Sequence, residues 1–343
     1  MYPNVVIAGA PRCGTTSLFE WLTAHPDVCG SVVKEAGFFL DPGDPDFNRE
    51  SNYHDYGLDG YQRYFAGCRE RQAKLVVEAT PDYLYQEIAP VGLSSLDPLP
   101  HVILLLRKPS ERSYSHFRFL RDNLALLDRR LTFREFVNRL ETDENSVPAQ
   151  GHARQIISNS RYGNYLGEWQ RRWPKSRLHI LLFEDLANDA PAFTRELALT
   201  LGIHTSFYDT YDFPIKNATV AVRNRRLHVA RRRFEQRIMT HDLAVRIGIA
   251  AVLCDAYKSV ADEGVAAALG SSSHAFPRFR QFLLRWTELG WKAARRVYGP
   301  VNLKPALQRT GDDQAFLLEL DRTFARHNER LARAADLDLS RWE

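Results

Sequence analysis

Gly9 and Gly14 enclose the four residues Ala10-Pro-Arg-Cys13. This is the spacing of a Walker A loop, G-x-x-x-x-G-K-[ST], in which backbone N–H groups at a helix N-terminus cradle phosphate oxygens. Thr15 stands where that motif has its lysine. The lysine reaches the β- and γ-phosphates of a nucleoside triphosphate, so its absence argues against an ordinary NTPase or kinase. Arg12, inside the loop, supplies a cation instead. The apolar run His101 to Leu106 ends in Arg107, where a Walker B strand has a Mg²⁺-organising aspartate. Ser115 follows within the next helical segment, and a guanidinium and a hydroxyl there can hold a second phosphate. Taken singly, a glycine loop is as often a plain turn, and an arginine at a strand end is an ordinary surface charge. Together they describe a metal-free anion site for a donor with few negative charges at its reacting end, such as a phosphosulfate.

These residues need a scaffold that brings strand ends together. Val5 to Ala8, Lys74 to Val77, His101 to Leu106 and Leu178 to Phe183 read as short buried strands. Helical patterns follow at Thr16 to Ala24, Glu111 to Leu127, Thr132 to Leu140, Tyr165 to Arg172 and Pro191 to Leu201. Alternation of this kind predicts an α/β fold of P-loop type: three α/β/α layers, a central parallel sheet and a C-terminal helical extension. Ligands of such sheets sit at the carboxyl ends of the strands, where Arg107 falls. After about Asn224 strand signals stop and Arg-rich amphipathic segments run from Leu227 to Tyr298. A last helix is expected from Asp313 to Ala335. The domain reading is therefore a core at 1–225, a basic helical insertion or lid at 226–300, and a C-terminal helix completing the core at 301–343.

The 343 residues are 44% hydrophobic, 26% charged and 11% aromatic, which suits a globular chain with a sizeable core and excludes disorder or collagen-like repetition. Lys plus Arg total 46 against 42 for Asp plus Glu, a net +4 too mild to indicate nucleic-acid binding. The positive charge gathers late, at Arg223, Arg225, Arg226 and Arg231 to Arg233 and again at Lys292, Arg295 and Arg296. A peripheral membrane contact, an acceptor-binding lid and a solvated helical cover all stay open for that stretch. No apolar run approaches the roughly 18 residues that span a bilayer. Met1-Tyr-Pro-Asn4 lacks a basic leader, so a cytoplasmic location is the expectation. The four cysteines, Cys13, Cys29, Cys68 and Cys254, lie far apart without C-x-x-C spacing, and reduced thiols are expected.

Four stretches of the chain resemble the sulfotransferases that use 3′-phosphoadenosine 5′-phosphosulfate (PAPS), most closely the branch holding heparan sulfate sulfotransferases and bacterial relatives. They are Gly9-Ala-Pro-Arg-Cys-Gly-Thr-Thr-Ser-Leu18 with His25-Pro-Asp-Val28, Leu106-Arg-Lys-Pro-Ser-Glu-Arg-Ser-Tyr-Ser115, Lys34-Glu-Ala-Gly-Phe-Phe39, and Glu78-Ala-Thr-Pro-Asp-Tyr83. Weaker likeness runs through Arg161-Tyr-Gly163, Trp169 to Pro174 and Phe183-Glu-Asp-Leu186, and the closing Leu337 to Trp342 looks like a family C-terminus.

The resemblance implies that Arg12, Cys13, Gly14, Thr15, Thr16 and Ser17 hold the 5′-phosphosulfate. It likewise implies that Arg107 and Ser115 hold the 3′-phosphate, with Tyr162 beside the nucleotide and Arg223 and Arg225 in a loop that closes over it. Glu35 aligns with the family's general base, which takes a proton from the acceptor. Arg12 falls where relatives often carry a lysine that stabilises the leaving phosphate, and Lys34 shares that work. An arginine, with a pKa above about 12, suits electrostatic stabilisation better than proton donation. The implied acceptor is a hydroxyl of a glycan, glycolipid or other natural product. Relatives have a lysine before the Thr-Pro element where this chain has Ala79. Histidine is the base in another branch, which brings His54 and His116 into consideration. A small-molecule P-loop kinase and a non-catalytic nucleotide- or polyanion-binding module are the competing readings.

Overall fold

The computed structural model describes residues 1–148, 150–214, 220–222, 303–305 and 309–342. Arg223, Arg225 and the expected insertion at 226–300 lie outside the described residues. Five strands, β1 (Val5–Gly9), β2 (Val28–Gly30), β3 (Leu75–Ala79), β4 (His101–Leu106) and β5 (Leu178–Leu182), form one parallel sheet in the order β2-β3-β1-β4-β5. Every residue of β1 and β3 is buried, as in a sheet covered on both faces, and this accounts for the unbroken apolar runs in place of alternation.

Four of the five strands fall on the runs read from the sequence. The fifth, β2, is three residues long, too short for a periodic signal. Strand β3 runs two residues beyond the expected Val77, through Glu78 and Ala79, and so carries a carboxyl into the sheet.

The helices are α1 (Thr15–Thr23), α2 (Tyr53–Tyr56), α3 (Ile88–Ser94), α4 (Pro109–Arg118), α5 (Phe133–Thr142), α6 (Leu166–Arg172), α7 (Phe183–Asn188), α8 (Ala190–Thr200) and, at the end of the chain, α9 (Gly311–Ala335). Pro109 opens α4, where its missing N–H costs nothing and its fixed φ suits the first turn. The expected continuation to Leu127 does not form. The chain widens into a π-turn at Phe119–Asn123, and Ala125 takes φ +56, which ends the helix. Helices α5 and α9 each start with a capping box, Thr132 with Glu135 and Thr310 with Asp313. Helix α9 packs on α4, where Lys108 Nζ meets Asp321 at 3.0 Å and the Tyr114 hydroxyl donates to Asp313 at 3.1 Å. Beneath these contacts lies an aromatic cluster of Phe117, Phe133, Phe136, Phe316 and Phe324.

Two expectations are corrected here. Strands do not stop at Asn224: Leu303–Pro305 (β7) pairs antiparallel with Val220–Val222 (β6), a pairing too short and too distant in sequence to show as a pattern. The cysteines are not all reduced thiols, because Cys29 on β2 and Cys68 form a disulfide. Their sequence separation of 39 leaves no local spacing signal for the bridge.

Candidate active site

The chain leaving β2, β1 and β4 at their C-terminal ends delivers three functional segments to one edge of the sheet, with the end of β3 lying between those of β2 and β1. From β1 the chain enters the Gly9–Gly14 loop and then α1, whose first N–H groups open toward that edge. Gly14 has φ +85, and a Cβ there would meet the Phe183 ring at 3.0 Å, so both backbone and space require glycine. Thr15 and Ser17 are buried in the first turn of α1. Cys13 is fully buried, and burial pushes its thiol up to about 11, so it is an inert loop-filling residue and not an activated one.

Two arginines bracket the loop. Arg12 adopts φ +70, stacks its guanidinium 4.4 Å over the Phe119 ring, and leaves its buried Nε without a hydrogen-bond partner among the described residues. Burial and the neighbouring charge of Arg107 pull Arg12 down to about 10, still cationic at neutral pH. Arg107, at the end of β4, donates from Nη1 to the Arg12 carbonyl at 3.5 Å and stacks 4.6 Å over Phe183. Its Nη2 contacts Glu111 at 3.2 Å, and Glu111 also pairs with Arg309. Burial opposes ionisation of Glu111, but Arg309 and Arg107 hold its carboxyl below the ordinary value. Ser115 is half-buried on α4. Tyr162 is buried and donates to the Arg107 carbonyl at 2.9 Å, so it braces the end of β4.

The third segment is the Lys34–Gly37 turn. Glu35 takes φ +62 and Gly37 φ +65, and the Glu35 N–H donates to the Ala79 carbonyl at the end of β3, 2.9 Å away. The Glu35 side chain is 55% exposed and pairs with the Lys34 ammonium. The two histidines weighed as bases are placed elsewhere or occupied. His54 is exposed and pairs with Asp55. His116 is buried between Arg112 and the Gly151 carbonyl, and burial holds it well below the usual imidazole range, with Arg112 adding to the shift.

Several residues that the sequence did not single out support this edge. Arg112, fully buried, donates from Nε to the Pro11 carbonyl of the glycine loop at 3.3 Å and from Nη1 to Ile156 O and Ser160 Oγ at 2.9 and 2.8 Å. Glu184 accepts from the Lys108 N–H at 2.9 Å and from Trp342 Nε1 at 3.0 Å, fastening the chain end beside Arg107. Near Glu35, His152 Nε2 lies 3.7 to 3.9 Å from Asp44, Asp46 and Asp82. Burial pushes Asp82 up to about 6, with His152 opposing and Glu35, Asp44 and Asp46 reinforcing the shift. Their separation in sequence hid this grouping. Glu78, by contrast, left a signal: one carboxylate in an apolar strand, Leu75-Val-Val-Glu-Ala79.

The sulfotransferase domain model matches residues 2–221, about two-thirds of the chain, which therefore belongs to the sulfotransferase family of transferases. Among solved structures, the sulfotransferase from Alicyclobacillus acidocaldarius superposes with a TM-score of 0.51 at 26% identity, covering 60% of this chain and 83% of that one. Human bifunctional heparan sulfate N-deacetylase/N-sulfotransferase 3 is 23% identical over 213 residues, 62% of this chain, and the human enzyme numbered 1 is 27% identical over 180 residues. The chain spans 20 to 24% of the length of these curated relatives. Among the described residues no helix is long and apolar enough to cross a membrane.

Proposed function

We propose that this protein moves a sulfuryl group from PAPS to a hydroxyl of an acceptor, with Glu35 as general base. The observation carrying this reading is the meeting, at one sheet edge, of a lysine-free glycine loop, the linked guanidinium residues Arg12 and Arg107, and the exposed carboxylate of Glu35. The orphaned Arg12 Nε supports the fit of an anionic donor, since a buried unpaired cationic N–H is costly until an anion accepts from it.

PAPS supplies an activated sulfuryl group whose bond to the bridging phosphate oxygen breaks as a new S–O bond forms to the acceptor. The chain's own residues supply the rest. The N–H groups opening α1, with Thr15, Thr16 and Ser17, hold the 5′ anion, while Arg107 and Ser115 hold the 3′-phosphate. Arg12, cationic at neutral pH, offsets the negative charge that grows on the leaving side, and Lys34 adds to it. Glu35 takes the acceptor proton, its exposure leaving it open to an incoming molecule. No role in this scheme calls for a metal.

The acceptor we favour is a carbohydrate or glycosylated natural product hydroxyl. An amine of an amino sugar is the second reading, favoured by the N-sulfotransferase relatives. The test is transfer of ³⁵S from PAPS to a panel of glycan hydroxyl and glucosamine acceptors. Glu35→Gln is expected to keep PAP binding and lose turnover by about 10²–10⁴-fold. Turnover near wild type would assign the proton to another group.

A further inference from the structure

Beneath the Lys34–Gly37 turn, the end of β3 presents a row of acceptors. The Glu35 N–H donates to the Ala79 carbonyl at 2.9 Å, and the Gly37 N–H to Thr80 Oγ1 at 3.2 Å. Between them the Ala36 N–H faces the Glu78 carboxyl and favours its charged form. Thr80 Oγ1 in turn donates to Glu78 Oε1 at 2.5 Å, so carboxyl and hydroxyl form one unit. Two amides of the turn are thus held by the end of β3, and the amide between them faces its buried carboxyl. Glu78 has 0% exposure, and its Oε2 is buried without a partner among the described residues.

A carboxyl in that position is expensive. Burying it incompletely paired costs on the order of 1–3 kcal/mol, more when charged. A valine in its place would continue β3 at no such cost. Glu35 itself sits in the left-handed region, where a non-glycine residue costs about 1–3 kcal/mol and persists only if its surroundings over-determine it.

We infer that Glu78 is the positioning residue for the proposed base, its carboxyl fixing the Thr80 hydroxyl that holds Gly37 and backing the Ala36 amide, so that Glu35 projects from a fixed, left-handed turn. The inference rests on the reading of Glu35 as base, and it adds a device that the sulfuryl chemistry alone does not require. The groups facing Glu78 are Lys34 and Glu35 from the turn, Tyr61 from the segment packed below, and Thr80 and Tyr83 from its own strand end. Lys34 is the cation among them, and it is already paired with Glu35.

Residue-resolved amide exchange of the full chain tests the clamp without any acceptor. In wild type, Ala36 and Gly37 should exchange slowly. Glu78→Ala should speed both at least tenfold while amides 15–18 of α1 and PAP affinity stay within twofold. Glu78→Gln, which keeps the acceptor oxygen, should restore protection. Thr80→Val should free Gly37 while leaving the β3 amides protected, and it serves if Glu78→Ala fails to fold. In the transfer assay above, Glu78→Ala should lower kcat at least tenfold with KM for PAPS within twofold, and Glu78→Gln should recover it. Unchanged exchange at Ala36 and Gly37, or acceleration spread evenly over the sheet, overturns the clamp. Glu35→Gln separates the two ideas: full turnover in that variant sinks the base and leaves the exchange result standing.

Discussion

The Tyr162 hydroxyl donates to the Arg107 carbonyl at 2.9 Å, joining the turn before α6 to the end of β4. Tyr162 also lies 3.9 Å from the Cys13 sulfur, so one buried phenol touches both the proposed 3′-phosphate arginine and the glycine loop. Tyr162→Phe removes the donor and strands a buried carbonyl. A loss of about 1–3 kcal/mol in stability is expected, with weaker PAP binding because Arg107 loses its brace. Equilibrium unfolding and calorimetric titration with PAP check both, and an unchanged PAP affinity would confine Tyr162 to the core.

Arg107→Ala should raise the Kd for PAP by about 10- to 150-fold, the equivalent of one charge-assisted contact of about 1.5–3 kcal/mol. Because Arg107 now pairs with Glu111, Glu111→Gln frees the guanidinium and should bind PAP at least as well as wild type. PAP affinity unaltered in Arg107→Ala would remove this residue from the donor site.

Glu78 gives stability a pH dependence with a definite sign. Burial raises its carboxyl from 4.5 to about 8, with Thr80, Lys34 and Ala36 opposing the shift. The unfolded chain therefore loses this proton at lower pH than the folded one. The stabilisation linked to holding it is complete below about pH 4.5 and declines as pH rises through 8. The urea midpoint of wild type should fall across that window more steeply than that of Glu78→Gln. Parallel curves would show that Glu78 is not buried as a neutral acid.

Peptide mapping of protein isolated without reductant should recover Cys29 linked to Cys68. Such bridges persist in oxidising compartments. Recovery of both as free thiols would contradict the bridge.

Much of the sheet edge was legible because its signals are local. The apolar runs of β1 and β4 are unbroken, and Gly9 to Thr15 and Leu106 to Ser115 each compress a turn and its helix start into ten residues or fewer. What escaped was built by register. Cys29 on β2 meets Cys68 in the segment that precedes β3, a partner that no local spacing announces, and β7 finds β6 across 80 residues outside the described structure. Arg112 reads as an ordinary polar residue of an amphipathic helix, yet it and His116 are buried against the 150–160 segment, where they hydrogen-bond Ile156, Ser160 and Gly151. The helix expected to reach Leu127 stopped early because tertiary packing at Phe119–Asn123 overrode a continuous helical pattern.

The central claim is that a lysine-free glycine loop and Arg107 together hold a bisphosphorylated adenosine without a divalent ion. Isothermal titration of the full chain with PAP in EDTA, against ATP with Mg²⁺, tests it most directly. Saturable PAP binding, weakened in Arg107→Ala, alongside negligible heat from ATP and Mg²⁺ is the predicted result; tight Mg²⁺-dependent ATP binding with no response to PAP would contradict it.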